Sequence, residues 1–244
     1  MFLIFSFPPI PTSESLTFVK KSTTITTLKH IGLLLHKDLK SEWRQKSAIN
    51  GIFLYVISTV FVAYLIFNQI EEMTTWIALY WIVLIFAATN ASIQSFKAES
   101  NRQFLYYYSL CSPQAIILSK LFFNAILILL IALINWLFFT VLLSNPLENN
   151  LLFSVVLLLG SLGISGILTL ISAIAAKTNN NSTLTAILAF PILLPMILTA
   201  VKASVLCGLG FGWEDCKDYI MLMGLINVVI IALSYILFPY LWRS

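Results

Sequence analysis

The chain has 244 residues, of which 59% are hydrophobic and 10% charged, with a formal net charge of +4 and a mean hydropathy of +0.94. Soluble domains carry roughly a quarter charged residues, so a water-soluble fold is excluded, and several spans of about 20 residues leave no room for a second, soluble domain. Positive charge can suit nucleic acid or anionic lipid, but in so apolar a chain its placement outweighs its sum, and no nucleic-acid partner is expected.

Met1 to Pro11 opens on an apolar run, yet it lacks a basic leader and contains Pro8, Pro9 and Pro11, so it reads poorly as a signal peptide. Residues 1–27 are rich in Ser, Thr and Pro without a sustained helical period, and a disordered tail is expected there. Over residues 28–48 the pattern changes. Ile31, Leu35 and Leu39 fall four apart with Leu34 beside them, while Lys37, Asp38, Lys40, Glu42, Trp43, Arg44 and Lys46 supply polar and interfacial surface. This spacing predicts an amphipathic helix lying at the membrane interface; the plainer reading is a basic stretch that merely flanks the first span.

Uncharged apolar runs then follow from Ile49 to Phe67, Trp76 to Ser92, Leu121 to Leu143, Leu151 to Ala176, Leu184 to Val201 and Tyr219 to Leu241. Runs of this length must be helical, because hydrocarbon cannot satisfy free backbone groups and a barrel would show alternating segments of about ten residues. The expected fold is therefore all-α, a polytopic membrane protein with six transmembrane helices within residues 49–244. Basic residues set its orientation. Twelve of the fourteen, Lys20, Lys21, Lys29, Lys37, Lys40, Arg44, Lys46, Lys97, Arg102, Lys120, Lys177 and Arg243, fall on one side. Lys202 and Lys217 share the other with Glu71, Glu72, Glu148, Glu214, Asp215 and Asp218. The basic side is read as cytoplasmic and holds both termini.

Several features could carry function. The connection from Ser95 to Ser119 holds Phe96, Lys97, Glu99, Arg102, the run Phe104 to Tyr108 that includes Tyr106, and Ser112-Pro113. Mixed charge and aromatic surface suit either an aromatic interface belt or a short helix that docks on a soluble partner. Gly160, Gly163 and Gly166 lie three apart with Ser161 and Ser165, a pattern that lets a neighbouring helix approach closely. Pro191 and Pro195 share a face and each removes a backbone hydrogen bond, so a kinked or broken helix is expected, serving packing alone or a gating motion. Asn124 and Asn135 suit bridges between helices better than substrate binding. Cys207 and Cys216 flank Gly208, Gly210 and Gly212; they are either small apolar fillers or a disulfide pair in an oxidising compartment.

Catalytic machinery is missing. The two histidines, His30 and His36, both precede the first span, no carboxylate lies in the middle of a span, and the cysteines have no metal-ligand spacing. No Walker A pattern occurs, so any ATP used must be bound by another subunit.

Taken together, the chain resembles the CcmB family of haem-exporter membrane subunits over about Leu33 to Tyr240. The resemblance is carried by Lys37-Asp38-Leu39 and Glu42-Trp43-Arg44 before the first span, and by the connection from Phe96 and Glu99 to Ser112-Pro113 and Lys120. It continues through the small-residue stretch Gly163 to Ala176, the polar turn Lys177 to Ser182, and Leu184 to Pro195. The chain departs from the family at Ser100, Asn101 and Arg102, where relatives commonly carry an acidic, glycine-containing stretch.

The resemblance implies an ABC-2-type permease subunit in the bacterial cytoplasmic (inner) membrane. It would pair with a CcmA-like ATP-binding subunit and with CcmC-like and CcmD-like membrane subunits, releasing a haem-loaded CcmE-like chaperone for cytochrome c assembly. ATP would sit on the partner and haem would be the handled ligand, with no cofactor bound by this chain. Besides membrane lipid, a second copy is a further expected partner, since six spans leave a large lateral surface. The alternatives are an ABC-2 permease for a drug, lipid or polysaccharide, and a membrane assembly factor without transport.

Overall fold

The computed structural model describes Gly32, Leu34, Leu35, Ile70 and residues 46–67, 72–97, 113–175 and 181–243. The predicted tail 1–27 lies outside the described residues. Every long element is a helix: α1 Lys46–Phe67, α2 Met73–Lys97, α3 Pro113–Leu142, α4 Asn150–Ala175, α5 Asn181–Gly208 and α6 Trp213–Arg243. All six are long and apolar enough to cross a membrane, so the chain is a multi-pass membrane protein. None shows a strongly one-sided apolar stripe, as expected of helices whose outward face meets hydrocarbon rather than water.

Four of the six elements differ from the apolar runs by more than fraying. α3 begins eight residues earlier than the run starting at Leu121, so Pro113 to Ser119 are helix rather than connection. Proline at a first helical position suits its fixed φ and missing N–H. α2 likewise takes in Ser95, Phe96 and Lys97. α5 extends seven residues past Val201, through Lys202, to Gly208, and runs unbroken across Pro191 and Pro195. α6 starts six residues before Tyr219, with Glu214 and Asp215 in its first turn, where the positive end of the helix dipole favours acids. A hydropathy run stops at the first charge; a helix needs only backbone partners and room for the side chain.

α4 forms the axis of the bundle. It touches α2, α3, α5 and α6, and these four also touch one another in the cyclic order α2, α3, α6, α5. Buried residues make up 67% of the most apolar 18-residue stretch of α4 but only 17% of that of α1, which rests outside the ring on α2 and α3. Glycine explains the central place of α4. A Cβ on Gly160 would lie 2.4 Å from Cη2 of Trp81 on α2, one on Gly163 2.2 Å from Cε of Met196 on α5, and one on Gly166 2.9 Å from Cγ2 of Ile230 on α6. Successive residues turn by about 100°, so positions three apart drift by about 60° around the axis and reach different neighbours. The expected single close neighbour is in fact three, each inserting a large side chain over a missing Cβ.

Polar ties cross the same contacts. The Asn124 amide donates to the Thr169 hydroxyl (2.9 Å), joining α3 to α4. The Asn135 amide donates to the Tyr80 carbonyl (3.2 Å) while the Tyr80 hydroxyl donates to the Ala132 carbonyl (3.1 Å), joining α2 and α3 twice. The Trp81 indole donates to the Ser204 hydroxyl on α5 (3.0 Å). The Asn227 amide reaches from α6 to the Leu159 carbonyl (3.1 Å). Both α3 asparagines are thus bridges between helices. Because lipid is as apolar as the side chains, such bonds and close packing, rather than expulsion of water, hold the bundle together.

Candidate functional site

The two ends of the bundle differ. One end gathers the connections α1–α2, α3–α4 and α5–α6. The Ile70 amide donates to the Leu143 carbonyl (3.5 Å), and the Glu148 and Asn149 amides donate to the carbonyls of Gly208 (3.4 Å) and Cys207 (3.1 Å). The Trp76 indole donates to the carbonyl of Ser144 (2.9 Å), which holds a positive φ of 64°. Gly210, at φ 78°, leaves no space for a Cβ against the Glu148 carboxylate. Exposed acids collect here: Glu72, Glu148, Glu214, Asp215 and Asp218, with Lys217 paired to Glu214. The Thr75 and Thr74 hydroxyls donate to the Glu72 carboxylate (2.6 and 2.8 Å) and hold its carboxyl below the usual range.

Beneath this acidic end lies an aromatic cluster absent from the sequence-based reading. Trp76 stacks on Tyr80 (5.7 Å between centroids, 4° between planes). Phe139 meets both edge-on at 5.3 and 5.6 Å, and Phe153 meets both at 6.0 and 5.6 Å. All four are fully buried. Their spacing along α2, four residues apart, was visible, but hydropathy places such residues equally well against lipid.

The opposite end carries Lys97 and Lys120 near the start and finish of the α2–α3 connection. Lys120 is the main correction to the sequence reading, which found no ionisable residue inside a span. Because α3 begins at Pro113, Lys120 lies two turns inside it and is only 5% exposed. Its ammonium donates to the carbonyl of Ser95 (3.3 Å), in the last turn of α2, and sits 6.0 Å from the Phe123 ring centroid. The last carbonyls of a helix lack internal partners and carry its negative dipole end, so a cation placed there is stabilised where hydrocarbon would otherwise reject it. Lys120 therefore clasps α2 to α3 at the root of their connection.

Leu34 closes the same end. It is buried against Ile116, Ile117, Leu121 and Ala173, from α3 and α4, and Leu35 packs on the main core. Gly32, Leu34 and Leu35 are helical, and at Leu34 and Leu35 the chain packs on the bundle. The predicted interfacial residues Asp38, Glu42, Trp43 and Arg44 lie outside the described residues, as do Glu99, Arg102 and Tyr106 of the connection. Phe96 and Lys97 end α2 and Pro113 starts α3; their side chains, too, lie outside the described residues.

Pro191 and Pro195 both face outward from α5, and Met196 beside them fills the space over Gly163. Cys207 and Cys216 are buried free thiols. A laterally open, almost wholly apolar groove of about 340 Å³ runs between α3, α4 and α6, with Phe122, Leu162, Ser165, Gly166, Gly224 and Asn227 among its lining. Among the described residues no His, Cys, Asp or Glu cluster could hold a metal.

A family model described as CcmB protein matches residues 29–241. No curated protein matches the chain.

Proposed function

As a member of the CcmB family, the chain is a membrane component of the haem-export system of cytochrome c biogenesis, and within that system we propose that it is the permease subunit through which a separate ATP-binding subunit acts on the membrane step. The carrying observation is the basic end. There Lys120 ties α2 to α3 and Leu34 seals α3 to α4, so the connection between α2 and α3 springs from a rigid base. A soluble subunit docking on Phe96, Lys97, Glu99, Arg102, Tyr106 and Pro113, and on the lead-in with Asp38, Glu42, Trp43 and Arg44, would move two helices as one body. On this reading the basic end is cytoplasmic and the membrane is the bacterial inner membrane.

The ATPase would be CcmA-like. CcmC-like and CcmD-like membrane subunits and a CcmE-like chaperone would complete the assembly, and a second copy of this chain is compatible with its exposed lateral surface. Haem is the cargo of the system. This chain has no histidine within its six spans, and Met196 is committed to packing against Gly163, so we assign it mechanical coupling rather than iron ligation. The test is purification in mild detergent with the ATP-binding subunit, comparing wild type with a Glu99→Lys, Arg102→Glu double reversal. Copurification with wild type, its loss in the variant and a fall in holocytochrome c are expected. Unchanged copurification and unchanged holocytochrome yield in the variant would overturn the coupling assignment.

A further inference from the structure

A polar group deep in a membrane bundle is costly without a hydrogen-bond partner, and the groove between α3, α4 and α6 holds two such groups. Ser165, 1% exposed, lines the groove from α4, and its hydroxyl has no partner. Asn227, on α6, donates through its amide to the carbonyls of Leu159 (3.1 Å) and Met223 (2.9 Å), which uses both amide hydrogens. Its side-chain carbonyl oxygen accepts no bond among the described residues. Both residues lie within a turn of the midpoint of their helices, at a depth that water does not reach. Beside them is open space. A Cβ on Gly224, one turn from Asn227, would meet nothing within 4 Å, whereas one on Gly166, the other glycine of the groove, would meet Ile230. Glycine weakens a helix interior, so a glycine that no contact within the chain requires points to a contact made from outside it.

We propose that the groove receives a transmembrane helix of a different membrane subunit, with a small residue packed on Gly224 and a Ser, Thr, Asn or Gln side chain one turn away donating to the Asn227 carbonyl. This rests on the assignment of further membrane subunits to the system and is independent of the coupling to an ATPase. An acyl chain suits the apolar lining, Phe122 and Ile231 included, but at mid-depth it carries only methylenes and donates nothing. A second copy seated groove to groove about a two-fold axis brings the same residues to the contact. Its Asn227 hydrogens are already spent and its Ser165 is buried, so the carbonyl stays unpaired. A helix of another chain has neither defect, because close approach over a glycine and a hydrogen bond between side chains are contacts that hold helices together in lipid. Seated there, it would rest on α3, which Lys120 ties to α2, and on α6.

The test uses the full chain in its native membrane. The photoreactive residue p-benzoylphenylalanine replaces Phe122 or Ile231, in the groove, or Leu198, similarly exposed on α5, and the adducts formed on irradiation are identified by mass spectrometry. Crosslinks from both groove positions, and not from Leu198, to one transmembrane peptide of another subunit are expected. Gly224→Leu should abolish that crosslink and the copurification of that subunit, while the variant chain, its new side chain entering open space, melts like the wild type. Adducts with lipid alone, with a peptide of this chain, or with the same foreign peptide from Leu198 overturn the groove as the docking site. So does a Gly224→Leu chain that keeps the crosslink. In each of these cases, copurification of another membrane subunit with the wild type leaves the assembly standing. No copurifying membrane subunit overturns the assembly, and the docking site with it.

Discussion

Gly160, Gly163 and Gly166 each stand where a side chain from another helix occupies the space of a Cβ, and the cost of filling that space can be measured. Gly160→Leu drives a branched side chain into Trp81, which also donates to Ser204. Overpacking of this kind costs about 1–3 kcal/mol, so the variant should melt at a clearly lower temperature in detergent by a tryptophan-fluorescence or scanning-calorimetry assay. Gly224→Ala, with nothing within 4 Å of the added carbon, should melt like the wild type; equal losses in both would refute the close-approach account. Lys120 is the second residue with a sharp expectation. Lys120→Met leaves the Ser95 carbonyl without its ammonium, a loss of about 1–3 kcal/mol for an unsatisfied buried group. It should also lower ATP-dependent holocytochrome yield, while Lys120→Arg, which keeps the charge and a donor, should restore both. The glycines were legible because their spacing is itself the packing signal. The depth of Lys120 was not, because hydropathy cannot register that a neighbouring helix ends beside it and offers free carbonyls.

Among the elements, α5 keeps two prolines inside one helix. The sequence predicts a kinked or broken helix; the structure has no break across Pro191 and Pro195, and both are turned outward. Proline in a soluble helix interior costs about 3 kcal/mol relative to alanine, but a membrane bundle tolerates it because neighbouring groups satisfy the freed carbonyls. Pro191→Ala with Pro195→Ala should therefore remove no packing and restore one backbone bond at each site. The pair should raise or preserve the melting temperature while lowering the rate of the coupled membrane step. A lower melting temperature would show that the prolines serve packing alone. The early start of α3 at Pro113 has a simple local cause, a proline whose missing N–H and fixed φ suit a first turn. That signal was present in the sequence, yet the polar residues around Ser119 and Lys120 masked it.

At the scale of the molecule, a helix made central by glycine and ringed by four others gives a stiff core with two chemically different ends. The acidic end is knitted by backbone bonds among three connections, whereas the basic end is tied by Lys120 and Leu34. Under the proposed coupling, movement should enter at the basic end and meet resistance at the acidic one. Amide hydrogen exchange in detergent should therefore show the acidic-end turns at 143–149 and 208–212 to be at least as protected as the basic-end segment Pro113 to Ser119; the reverse order would contradict this division. Composition and run length determined by themselves that the chain is a helical membrane protein of six spans, because a bilayer leaves a long uncharged segment no other way to satisfy its backbone. The order and chemistry of its segments carried the family. Only the tertiary structure decided which helix lies at the centre, which aromatic residues are buried and that Lys120 lies inside a span. Each of those depends on what an adjacent helix presents at a given height, and a single run of sequence holds no record of its neighbour.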